Sequence, residues 1–108
     1  MFGALTEFAL DYPSDGDCLS VANLVTDAVT RLGRPARTVI VAGWMNKAQT
    51  IIGFLHHVTE CTGVILDGTA RQFSRDVPAV WILPTDRYLT ELAGFTRVAS
   101  ATIWRYAT

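Results

Sequence analysis

The stretch Ile51-Ile52-Gly53-Phe54-Leu55-His56-His57-Val58-Thr59-Glu60-Cys61, followed by Thr62-Gly63 and then Val64-Ile65-Leu66, decides the fold. Strand-favouring residues stand on both sides of a Thr-Gly pair, and this pattern reads as a β-hairpin closed by a tight reversal. Upstream, Thr38-Val39-Ile40-Val41-Ala42-Gly43-Trp44 is rich in β-branched residues after a Pro-containing turn and reads as a buried strand, with 45–50 as a connection. Downstream, Asp67 to Phe73 leaves the hairpin through turn chemistry. The following stretch holds Pro78 and Pro84 and reads as an extended, irregular wrap. Thr85-Asp86 then cap a short helix over 87–93 that Gly94 ends, and 95–106 alternates enough to be a closing strand.

Ahead of the first strand, Val21, Leu24, Val25, Ala28 and Leu32 recur at helical spacing, which predicts a helix over 18–32. Asp17, at the end of the turn-forming cluster Ser14-Asp15-Gly16-Asp17, serves as its N-cap, and Gly33-Arg34-Pro35 supplies the stop. Helix, strand, strand pair, helix, strand is an α+β order: an antiparallel sheet with one main helix packed on a face. No internal repeat or low-complexity segment interrupts it.

Composition agrees with a single folded domain over 1–108. The 108 residues are 50% hydrophobic and 18% charged, which excludes a disordered linker. Nine Lys+Arg against ten Asp+Glu give a net charge of −1, and the basic residues are scattered, which argues against a nucleic-acid partner. The longest uncharged stretch, 48–59, is twelve residues, short of the ~20 that a spanning helix needs, so no membrane span is expected. No basic residue precedes the apolar part of Met1 to Glu7, so the segment does not read as a secretory signal and a cytoplasmic location is expected. Two cysteines, Cys18 and Cys61, do not make a disulfide framework, and reduced thiols are expected.

Chemistry concentrates at three places. Cys18 falls in the first turn of a helix, where unpaired N–H groups and the positive end of the dipole favour a thiolate and offer donors to an oxyanion. His56 and His57 are adjacent on the strand before the turn, so they point to opposite faces. Glu60 prefers solvent, which sets its own face outward together with His56 and Val58 and leaves His57 and Thr59 toward the helix. His57 is therefore the favoured partner of the cysteine, with His56 open as the alternative. Asp67 ends the apolar triplet Val64-Ile65-Leu66. It suits either the orienting carboxylate of a nucleophile–base–orienter triad or a strand-terminating turn. Cys61 reads as a buried strand residue, and Trp44, Trp81 and Trp104 as core, with Trp81 the best placed of the three to line a substrate cleft.

Asp17-Cys18-Leu19-Ser20-Val21-Ala22, His57-Val58 and above all Leu66-Asp67-Gly68-Thr69-Ala70-Arg71-Gln72-Phe73 resemble the papain-fold toxin domains, the glutamine-deamidase-like tails of bacterial polymorphic toxins. The resemblance covers about half of the chain. It implies a minimal papain-like fold, with Cys18 as nucleophile, His57 as general base and then acid, Asp67 as orienter, and Thr69, Arg71 and Gln72 as a wall of the cleft. The implied reaction is deamidation of a protein glutamine through a thioester, with no metal or organic cofactor. A papain-like peptidase or acyl/amide transferase would share every one of these residues, and a non-enzymatic α+β interaction module would need none of them. The resemblance further implies a protein substrate, delivery into a target cell's cytoplasm as part of a secreted toxin, and an immunity or inhibitor protein. Residues 1–17 hold no Gln or Asn to complete an oxyanion hole of the usual papain-like kind, which makes Gln72 a candidate donor.

Overall fold

The computed structural model describes residues 2–14 and 16–106; Asp15 of the cluster before the long helix lies outside the described residues. In chain order the elements are α1 (Phe2–Phe8), α2 (Asp17–Arg31), β1 (Arg37–Trp44), β2 (Ile52–Cys61), β3 (Val64–Asp67), a 3-10 turn at Ala70–Gln72, β4 (Trp81–Pro84), α3 (Thr85–Thr96) and β5 (Ser100–Tyr106). The strands form one sheet in the order β4-β3-β2-β1-β5, and every neighbouring pair is antiparallel.

The β2–β3 hairpin forms as its sequence dictates. Thr62 and Gly63 both take positive φ, 48° and 78°, the combination that lets a two-residue turn follow the strand twist. Cys61 then pairs with Val64, Glu60 with Ile65 and Thr59 with Leu66. Because opposed residues share a face, Thr59 and Leu66 point to one side of the sheet, and Glu60, Ile65 and Asp67 to the other.

Helix α2 covers the first side, but its start and its buried face differ from expectation. Gly16, at φ 92°, is the N-cap residue, and Asp17 lies in the first turn with its carboxylate accepting the Ser14 N–H at 2.7 Å. Cys18, Val21, Ala22, Val25 and Val29 are buried, whereas Leu24 and Leu32 are exposed. The helix ends as expected at Gly33: the Gly33 amide reaches the Thr30 carbonyl and the Arg34 amide the Val29 carbonyl, a Schellman closure. Leu5 of α1 joins Val21, Val25, Val29, Cys61 and Leu66 in this layer of the core.

The opposite face is also covered, where the sequence suggested solvent. Helix α3 packs Tyr88 and Leu92 onto Val39, Val41, Val58, Ile65 and Trp81. The segment read as an irregular wrap supplies β4, whose Trp81, Ile82, Leu83 and Pro84 pair with Asp67, Leu66, Ile65 and Val64. Its proline sits at the sheet edge, where no ladder donor is missed. Helix α3 does not stop at Gly94 but runs to Thr96 and ends at Arg97 in the left-handed region, φ 58°, so β5 begins only at Ser100. Packing of Tyr88, Leu92 and Ala93 outweighs the ~1 kcal/mol that a mid-helix glycine costs. Trp81 belongs to this core at 6% exposure, with Tyr88 at a 4.9 Å ring distance, rather than to a cleft. Trp44 is half-buried, bonding Thr102, and Trp104 is exposed. Cys61 is buried, as expected.

Candidate active site

The first turn of α2 brings Cys18 against β2, beyond the last β2–β3 pair at Thr59 and Leu66. There no β3 pair is formed, and the backbone N–H groups of His57 and Leu19 favour the anionic form of the Cys18 sulfur. The sulfur therefore sits at the edge of the strand. From that position Sγ lies 3.6 Å from His57 Nδ1, and the charge of His56 lowers the thiol pKa as well.

The two histidines are not equivalent. His56 has 0% exposure and its Nε2 lies 2.9 Å from Asp67 Oδ2. His56 Nδ1 is buried without a partner of full hydrogen-bond geometry. The expected pairing of Asp67 with His57 is thus corrected: Asp67 is on the α3 side of the sheet, the same side as His56. The expectation that His56 and Val58 face outward fails for the same reason, since α3 buries that side. Phe73 closes over His56 edge-on at 4.8 Å between ring centres and is in turn packed on Phe54.

Asp67 is itself fully committed. Its Oδ2 accepts the Tyr88 hydroxyl at 2.6 Å as well as His56, and its Oδ1 accepts the Thr69 amide at 2.9 Å and, more weakly, the Thr69 hydroxyl at 3.4 Å. Tyr88 gave no sequence signal beyond its place on a helix of the far layer. Thr69 therefore serves the carboxylate rather than a cleft wall. Arg71 also has a structural task, donating to the Val77 carbonyl and to the Asp11 carboxylate. Arg75 reaches the Asp11 carbonyl and stacks on Tyr12, so the two arginines tie the segment ahead of α2 to the loop after β3. Gln72 lies on the 3-10 turn with its Oε1 buried and unpartnered.

Electrostatics follow from this arrangement. Burial pushes the Cys18 thiol up, but the His56 imidazole, the His57 and Leu19 amides and the His56 charge outweigh it and hold the pKa below its ordinary value. Burial pulls His56 down, yet the Asp67 carboxylate, and then the Cys18 sulfur, raise it to about 9. Burial alone would raise Asp67; His56, Tyr88 and Thr69 bring it below the usual carboxylate range. His57 is lowered by burial and then by the neighbouring His56 charge. Burial and Asp67 push the Tyr88 phenol well up, so it stays a donor. The lowered thiol and the raised imidazole both shift the pair toward thiolate and imidazolium, with the imidazole anchored to a carboxylate. Among the described residues no cluster of three or more His, Cys, Asp or Glu is arranged to hold a metal ion.

The fold is a small α+β domain of papain-like architecture with a cysteine at the start of its central helix. It is similar to a crystal structure reported to reveal a thiol-protease-like catalytic triad in the C-terminal region of Pasteurella multocida toxin, with a TM-score of 0.72 and 18% sequence identity. That match covers 97% of this chain and 16% of the toxin chain. No protein-family model and no curated protein matches this sequence.

Proposed function

We propose that this chain is a papain-like cysteine amidohydrolase that deamidates a glutamine side chain of a protein, with Cys18 as nucleophile, His56 as acid–base partner and Asp67 as orienting carboxylate. One observation carries the reading: the His56 ring is held 2.9 Å from a buried carboxylate, on the residue next to the one whose imidazole lies 3.6 Å from a sulfur in the first turn of a helix. Cys18 thiolate attacks the carboxamide carbon, the unpaired amides at the start of α2 receive the developing oxyanion, and His56 delivers its proton to the departing ammonia. Water then hydrolyses the thioester and leaves glutamate.

Support for glutamine as the substrate comes from the stretch Asp67 to Phe73, which resembles the deamidase-like toxin tails. The toxin neighbour is described as thiol-protease-like, which favours a peptidase as the second reading. By the same analogy the domain acts in the cytoplasm of a target cell and is covered by an immunity protein. Incubating candidate protein substrates with the wild type and with Cys18→Ala, and measuring ammonia against new N-termini, separates the two. Cys18-dependent ammonia without cleavage is the expected result, and Cys18-dependent cleavage overturns deamidation.

A further inference from the structure

The sulfur of Cys18 has two imidazoles beside it, and the reading above, on which this inference rests, uses only one. His56 is sealed: no part of its side chain is exposed, Nε2 is occupied by Asp67, Nδ1 is buried and Phe73 lies against the ring. The nitrogen that His56 protonates is carried to it on the acyl carbon, whereas the attacking water arrives from solvent, to which His56 presents no nitrogen. His57 differs on each point. It is half-buried, its Nδ1 stands 3.6 Å from the sulfur, and it reaches that atom from the opposite face of β2. Across the strand pair its neighbour is Ile40, which is apolar, and among the described residues no carboxylate is bonded to it. The titratable groups beside it are Cys18 from α2 and His56 on its own strand; burial and the His56 charge hold its pKa below the ordinary value, so its lone pair is free near neutral pH.

We propose that the work is divided between the two histidines: His56 serves acylation, and His57 is the base that takes the proton of the water attacking the Cys18 thioester. In that step the water oxygen bonds to the acyl carbon, its proton passes to His57, and the C–S bond breaks. The products are a carboxylic acid, a Cys18 thiolate and a His57 cation, whose proton passes through the Cys18 sulfur to His56 and replaces the one that His56 gave to ammonia. Adjacent histidines on a strand, which alternate between faces, become two bases for one sulfur because that sulfur sits at the strand edge.

The test uses the full chain with 4-nitrophenyl acetate, an activated ester whose leaving group needs no proton, so that acylation and deacylation are read separately. With His57→Gln, and with His57→Asn as a second variant, the expected result is a stoichiometric burst of nitrophenolate at a rate constant close to wild type. A steady state roughly 10²-fold slower follows, with acetylated Cys18 accumulating in intact-mass spectra, as loss of a general base implies. Free imidazole restores turnover in His57→Ala, whose truncated side chain leaves room at this half-buried position. His56→Ala loses the burst itself and is not restored. If the His57 variants lower burst and steady state in the same proportion, or change neither, the division of labour is wrong while the nucleophile stands. If the wild type releases no more nitrophenolate than Cys18→Ala, the nucleophile falls and this inference with it.

Discussion

Asp67 is the residue on which the site turns, because its two oxygens gather four hydrogen bonds from His56, Tyr88 and Thr69 in a space without solvent. Replacing it by Asn keeps the shape and removes the charge that holds His56 protonated. Asp67→Asn is expected to lower stability by about 3–5 kcal/mol, as loss of one member of a buried pair does, and to raise the Cys18 thiol pKa; urea unfolding and thiol alkylation read the two effects. Tyr88→Phe deletes one donor and leaves the volume unchanged, so it is expected to cost about 1–3 kcal/mol by the same urea measurement. The partner of Asp67 was not fixed by the sequence, because it depends on the length of the hairpin loop. A two-residue turn at Thr62-Gly63 fixes the pairs Cys61–Val64, Glu60–Ile65 and Thr59–Leu66, and the parity of those pairs puts Asp67 on the face of the even-numbered β2 residues, hence with His56. The expected pairing of Asp67 with His57 fails because the Glu60 face, read as open to solvent, is covered by α3, whereas His57 does meet Cys18, at 3.6 Å. Glu60 is near the strand end and pairs with Arg37, whereas Val58 and His56 further along are buried.

At the scale of elements, the placement of the sulfur depends on how α2 is fastened to the sheet. Thr26 lies 2.9 Å from both Thr38 of β1 and Thr59 of β2. Thr38 continues to Asn23, and Thr59 to the Ala22 carbonyl, so a chain of hydroxyls pins the middle of the helix four to eight residues after Cys18. Thr26→Val is expected to lower stability by about 1–2 kcal/mol in urea unfolding and to slow Cys18 alkylation through a looser helix start. Helix α2, β1 and the hairpin announce themselves through periodicity, β-branched runs and turn chemistry, and their boundaries are nearly right. Strand β4 does not, because Trp81-Ile82-Leu83-Pro84 is short and Pro-flanked and takes its identity from the β3 edge it joins. Likewise α3 outlasts Gly94 through contacts that no local signal carries. Those two elements bury the His56 side of the sheet, so missing them and pairing Asp67 with His57 are one error.

For the whole molecule, the charged network makes stability depend on pH. His56 is raised from 6.5 to about 9, so its contribution is complete below pH 6.5 and is lost as pH rises through about 9. Asp67 is lowered from 3.8, so its contribution is present above that value and is lost as pH falls below it. Urea midpoints are therefore expected to hold on a plateau between about pH 4 and pH 6.5 and to fall on both sides, with the alkaline fall absent in His56→Ala. The α+β class and the cysteine-bearing helix were readable from the chain; what the sequence hid was the second helical layer, which turns an apparently one-sided sheet into a closed box around an ion pair. The most direct measurement is the pH dependence of Cys18 alkylation by iodoacetamide in the wild type, His56→Ala and His57→Ala. The wild-type thiol should ionise below the usual 9.0, His56→Ala should carry it above that value, and His57→Ala, which keeps the backbone amide, should leave it low. A wild-type thiol that ionises at or above 9.0, or a profile moved by His57→Ala and not by His56→Ala, would contradict the triad of Cys18, His56 and Asp67.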